Sequence, residues 1–116
     1  MLSDPTPQAL LDIRDNARLA RQFVAGLSQE AFAADVRTFY AVTRCLEIIS
    51  EAARRLPSDL RERHPDQPWR AIMGAGNVYR HNYDNVAEEF VWRTVQQSLE
   101  PLLAVIEAEI GRLSGS

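Results

Sequence analysis

The chain has 116 residues, too few for a second core, and its 46% hydrophobic and 25% charged residues are those of one ordinary globular domain. A formal net charge of -3 argues against broad, non-specific nucleic-acid binding but leaves room for a local basic cleft. No apolar run nears the ~20 residues that span a bilayer, and the single Cys45 excludes an internal disulfide and fits a reducing cytosol.

Met1-Leu2-Ser3-Asp4-Pro5 has neither a basic nor an apolar signal region, so no signal peptide and a cytoplasmic protein are expected. No Cys/His cluster has metal-ligand spacing, and no glycine-rich phosphate loop is present, so neither a metal nor a cofactor is predicted. All thirteen basic residues are arginine. Arginine suits planar, bidentate contacts to phosphate and carboxylate, although a GC-rich genome produces the same bias.

Thr6 and Pro7 have the chemistry of an N-cap and a first helical residue. Leu10, Ile13, Ala17, Ala20, Val24 and Leu27 follow at helical spacing, predicting a helix over 7–25 with Arg14, Arg18 and Arg21 mostly on its other side. Ser28 is the predicted cap of a short turn through Phe32, and Asp35 of a long helix ending at Pro57. Within that helix Glu51 and Arg55 have the spacing of an ion pair. Cys45 reads as a packed, inert thiol. A short helix starts at Ser58 and cannot pass Pro65, and His64 reads as a solvent-exposed loop histidine. Pro68 suits the start of another helix, with Trp69 and Ile72 as buried anchors. Asn85-Val86-Ala87-Glu88 reads as a capping box for the last helix. Phe90, Val91, Val95, Leu99, Leu102, Ile106, Ile110 and Leu113 form its apolar stripe, with a kink at Pro101.

No stretch alternates like a strand. The expectation is one all-α domain over 1–116, its ordered core at about 7–113. Its architecture is an antiparallel up-and-down bundle of four main helices plus short helical turns.

One stretch departs from this amphipathic pattern. Gly74-Ala75-Gly76-Asn77-Val78-Tyr79-Arg80-His81-Asn82-Tyr83 gathers a histidine, an arginine, two asparagines and two tyrosines on one helix. Asn77 and His81 are four residues apart and share a face, as do Gly76 and Arg80. The glycines each cost about 1 kcal/mol of helix propensity relative to alanine, which points to a close approach there, such as a second copy of the helix. From the residues alone, His81 reads equally as a partly buried, locally bonded polar group.

The chain resembles the HepT-like proteins of the wider HEPN superfamily. The resemblance runs from Leu10 to Glu109. It rests on Leu11-Asp12-Ile13, Leu46-Glu47-Ile48-Ile49-Ser50-Glu51-Ala52, Arg63-His64-Pro65 and Pro68-Trp69-Arg70-Ala71-Ile72. Its strongest part is Gly76-Asn77-Val78-Tyr79-Arg80-His81-Asn82-Tyr83, followed by Phe90-Val91-Trp92. The resemblance implies a helical homodimer formed through the histidine-bearing helix, with a motif R-x-x-x-x-H-x-Y lining a shared cleft. It implies metal-independent RNA cleavage with no cofactor, as the toxin of a toxin–antitoxin pair. A nucleotidyltransferase antitoxin is the implied partner, which silences the toxin by transferring AMP to the motif tyrosine.

Residue by residue, the histidine is His81, the AMP-accepting tyrosine is Tyr83, and Asn77 is the polar residue after the motif arginine. That arginine is missing, because Gly76 stands in its place. Arg80, one turn further on, is the candidate replacement. Two readings follow: a ribonuclease toxin, or a catalytically degenerate HEPN dimer kept as a binding or regulatory partner of a nucleotidyltransferase.

Overall fold

The computed structural model describes residues 4–81 and 84–115, with the backbone alone along 77–81 and 84–87. The described residues form seven helices and no strand: α1 (Thr6–Val24), α2 (Gln29–Ala34), α3 (Val36–Arg54), α4 (Ser58–Glu62), α5 (Trp69–His81), α6 (Asp84–Gln97) and α7 (Leu99–Gly115). The all-α bundle expected from the sequence is therefore the fold.

The caps explain most of the boundaries. Ser28 Oγ accepts from the Ala31 N–H at 3.0 Å, and Asp35 Oδ1 from the Thr38 N–H at 3.2 Å. Both satisfy amides that have no partner inside their helix. At α1 the cap differs from expectation. Pro5 occupies the N-cap position and Thr6 is already helical, its N–H donating to Asp4 Oδ1 at 2.9 Å. Helix α6 begins at Asp84, one residue before the expected cap at Asn85, whose side chain lies outside the described residues.

The last predicted helix is two helices, divided at Ser98. Pro101 has no N–H to offer the carbonyl of Gln97, four residues back, so the ladder loses a bond there. The neighbouring bonds survive: Ser98 N–H to Thr94 O at 2.9 Å and Leu102 N–H to Ser98 O at 3.3 Å. The two helices thus meet across the single residue Ser98.

The core joins the apolar stripes of three long helices. Leu10, Ile13, Ala17 and Ala20 come from α1, Val42, Leu46, Ile49 and Ala53 from α3, and Leu99, Leu102 and Ile106 from α7. Each large aliphatic side chain so buried contributes about 1.5–3 kcal/mol. Phe32 of the short α2 is fully buried, its ring centroid 6.0 Å from Phe39 and 5.4 Å from Trp92. That contact pins α2 against both α3 and α6. Cys45 is buried as expected, and burial raises its thiol pKa, which keeps it protonated and unreactive.

Candidate active site

Helix α5 carries the motif, and three contacts fix its position. At its start, Trp69 Nε1–H donates to the carbonyls of Arg61 and His64, both at 3.0 Å. In its middle it meets α3. Ser50, 1% exposed, donates its hydroxyl to Met73 O at 2.9 Å and accepts the Gly76 N–H at 3.3 Å. One turn along α3, Arg54 Nε–H also donates to Met73 O at 2.9 Å.

The close approach predicted from the glycines is real at Gly76, and it is made within the chain. A Cβ built on Gly76 would stand 3.4 Å from Ser50 Oγ, whereas one on Gly74 would meet nothing within 4 Å. Gly76 therefore sits in the α3–α5 contact, while Gly74 lies on an open face. The α5 backbone places Arg70, Gly74, Asn77 and His81 at spacings of three and four residues, so they share one side of the helix. The side chains of Asn77, Arg80 and His81, and the whole of Tyr83, lie outside the described residues. So do the side chain of Tyr79 and any pairing of Arg80 with Asp84.

Two arginines near this contact meet no carboxylate among the described residues. Arg54 is exposed and has no carboxylate partner among the described residues. Arg61 Nη1–H donates to Met73 Sδ at 3.6 Å, and its Nε is buried without a hydrogen-bond partner. Two guanidiniums thus converge on one residue of the motif helix, and neither is neutralised there.

His64, expected to be a free loop residue, is instead held in a second cluster. Its Nε2 lies 2.6 Å from Glu109 Oε2, and its side chain is only 22% exposed. The Glu109 carboxylate is buried, with 4% of its side chain exposed. It accepts from Arg63 Nη2–H at 2.7 Å and Nε–H at 3.3 Å. The Arg63 guanidinium, and then His64, hold its pKa below the ordinary value for a glutamate. Sequence reasoning missed this cluster because its members lie 45 residues apart. One signal was available: Glu109 falls on the apolar stripe of α7, three residues after the buried Ile106. A cleft of about 720 Å³ opens beside it, lined by Asp4, Leu60, Arg63, Glu109 and Arg112 among others. Its two arginines already bind Glu109, Asp4 accepts from the Thr6 N–H, and no residue of the motif helix lines it. A smaller groove of about 360 Å³ runs along the other flank of α5, lined by Leu46, Ile49, Ile72, Ala75, Phe90 and Leu99. Asp66, Gln67, Thr94, Gln97 and Ser98 also line it, but no cation does.

The expected pairing of Glu51 with Arg55 is also replaced. Arg55 Nη2 reaches Asp12 Oδ2 of α1 at 2.8 Å, which ties the start of α1 to the end of α3. Among the described residues no three His, Cys, Asp or Glu side chains group as metal ligands. No described helix is long and apolar enough to cross a membrane.

The geometry of α5 can be set beside known proteins. The family model described as Ribonuclease HepT-like matches residues 13–109, most of the chain and all of the motif helix. The chain belongs to the HepT-like ribonuclease family. It is 34% identical over 98 residues to a probable ribonuclease HepT of Thermococcus cleftensis, covering 84% of this chain and 89% of that protein. A putative RNase of Methanocaldococcus jannaschii is 31% identical over 98 residues, covering 84% and 90%. A putative RNase of Caldanaerobacter subterraneus is 34% identical over 98 residues, covering 84% and 88%. No solved structure gave a significant match.

Proposed function

We propose that this HepT-like protein is an endoribonuclease that cleaves RNA without a metal ion, at a cleft completed by a second copy of the chain. The observation that carries this reading is the family match over residues 13–109, which includes the motif helix with His81. In the reaction the ribose 2′-oxygen bonds to the adjacent phosphorus and the bond from phosphorus to the 5′-oxygen breaks. One imidazole takes the 2′-hydroxyl proton and another, protonated, supplies a proton to the leaving 5′-oxygen. Imidazole suits both tasks because it titrates near neutral pH. Asn77 shares the face of His81 and would orient the RNA. Arg80 is the nearest cation in sequence for the charge on the phosphoryl oxygens.

The same reading makes the protein the toxin of a toxin–antitoxin pair. Its partner would be a nucleotidyltransferase that transfers AMP to Tyr83. Incubation with a cognate nucleotidyltransferase and ATP should add one AMP at Tyr83, read by mass spectrometry; an adduct on Tyr79 alone would refute the assignment.

Gly76 favours a second reading, a degenerate dimer kept as a binding partner, since the motif has arginine there. An RNA cleavage assay in excess EDTA separates the two. The ribonuclease reading expects cleavage by the wild type to 2′,3′-cyclic phosphate ends, and a loss of about 10²–10⁴-fold in His81→Ala. Equal, background rates for both proteins would leave the degenerate reading.

A further inference from the structure

We propose that Arg54, from α3, supplies the phosphate-binding guanidinium that the motif lacks at position 76. This rests on the ribonuclease reading above and deepens it.

The placement is direct. A helix carbonyl points toward the residues three and four positions on, so Met73 O lies level with Gly76 and Asn77. Ser50 confirms the level, because its one hydroxyl oxygen bridges Met73 O and the Gly76 N–H. Arg54 Nε–H reaches the same Met73 O at 2.9 Å. Its guanidinium therefore lies against the α5 backbone beside the place where a side chain on residue 76 would emerge. Glycine there leaves the approach clear, since its only neighbours within 4 Å of a built Cβ are the Ser50 Oγ and Cβ.

The remaining donors of Arg54 are available. Among the described residues only Nε makes a hydrogen bond and no carboxylate pairs with the group, and the residue is exposed. The bond to Met73 O uses Nε alone and leaves the two Nη groups as donors for phosphoryl oxygens. Its neighbour Arg55 is the contrast, since its guanidinium is occupied by Asp12. His81 lies five residues beyond Gly76 on the same helix, about 7.5 Å along the axis. A phosphodiester is of the size to span a cation at that level and an imidazole one and a half turns on.

The test is a set of cleavage rates on one RNA oligonucleotide, with thermal melts as the control for folding. Arg54→Ala should cut the rate by about 100-fold or more, the usual cost of removing one charge-stabilising donor, with its melting temperature little changed. Gly76→Arg added to Arg54→Ala should restore most of that rate, because it returns a guanidinium to the same place. A helix-locking role for Arg54 predicts a lowered melting temperature and no rescue. If the double variant fails to fold, binding of a 2′-deoxy analogue to Arg54→Ala decides: weaker binding than wild type supports the proposal, equal binding overturns it. Wild-type cleavage that depends on His81 and survives in Arg54→Ala, or a loss confined to Arg80→Ala, overturns it while leaving the ribonuclease reading intact. Absence of cleavage and of RNA binding in the wild type would instead remove the ribonuclease reading, and this inference with it.

Discussion

Two regions of the molecule treat arginine in opposite ways. Around α1 and α7 the cations meet carboxylates: Arg18 pairs with Glu107, Arg55 with Asp12 at 2.8 Å, and Arg63 with Glu109 at 2.7 Å. At the α3–α5 contact, Arg54 and Arg61 meet only the carbonyl and the thioether of Met73. The net charge of -3 hides this difference. A charge already matched within the chain holds helices together and has little left for a ligand. An exposed, unmatched one such as Arg54 has no carboxylate to give up and is free to meet a phosphate. Local pairing says more about where RNA would bind than the sum of charges does.

The comparison breaks most easily at Glu109. Glu109→Ala leaves Arg63 and His64 facing a cavity, with only the exposed Asp59, 3.7 Å from Arg63 Nη1, as a remaining counter-charge. Removing one partner of a buried pair costs about 3–5 kcal/mol, and the partial exposure of Arg63 reduces this to about 2 kcal/mol. Urea denaturation should show it, and an unchanged midpoint would mean that the corner is not a structural tie.

The same carboxylate gives a pH dependence with a definite sign. Its folded pKa is lowered below the ordinary 4.5, so below that value the unfolded chain binds more protons than the folded one. Stability from this site is complete above the ordinary carboxylate range and is lost as pH falls through it toward the folded pKa. Wild type should therefore lose more melting temperature between pH 7 and pH 3 than Glu109→Gln. Parallel losses would place the acid sensitivity elsewhere, for instance at Asp12, whose pKa Arg55 also lowers.

Ser50→Ala sharpens the other side. It removes a hydroxyl that bonds twice to α5 but leaves Arg54 on Met73 O, so about 1 kcal/mol is expected from chemical denaturation. RNA binding should persist, since the variant leaves every arginine in place. A loss above about 3 kcal/mol would make the α3–α5 contact as structural as the Glu109 corner.

Much of this was legible in the chain, and the gaps share a cause. Ser28, Asp35 and Pro57 announce themselves because caps and breakers act on their own few residues. Pro101 marked the interruption, and the division of the helix at Ser98 follows from its missing N–H. His64 and Arg55 were misread because their partners, Glu109 and Asp12, are distant in sequence. For Gly76 the sequence indicated a close approach without saying to what. Ser50 and Glu109 had one clue in common: each is polar on a stripe of buried apolar residues, where a polar group needs a partner. The stretch 74–83 stood out by its polar and aromatic residues, but the roles of those residues were legible only through resemblance. The side chains of Asn77, Arg80 and His81, and all of Tyr83, lie outside the described residues, so their roles stand as proposals.

Arg54 and Arg55 are adjacent in sequence, exposed, and assigned to opposite classes, so one measurement on both tests the account most directly. The measurement is the salt dependence of binding to a 2′-deoxy RNA analogue by wild type, Arg54→Ala and Arg55→Ala. The account predicts that Arg54→Ala binds more weakly and lowers the slope of log K against log[salt] by about 0.7, the share of one phosphate contact on a single strand. Arg55→Ala should keep the wild-type affinity and slope while losing up to about 1 kcal/mol of stability with its Asp12 pair. Equal effects of the two variants on RNA binding, or a loss confined to Arg55→Ala, would contradict it.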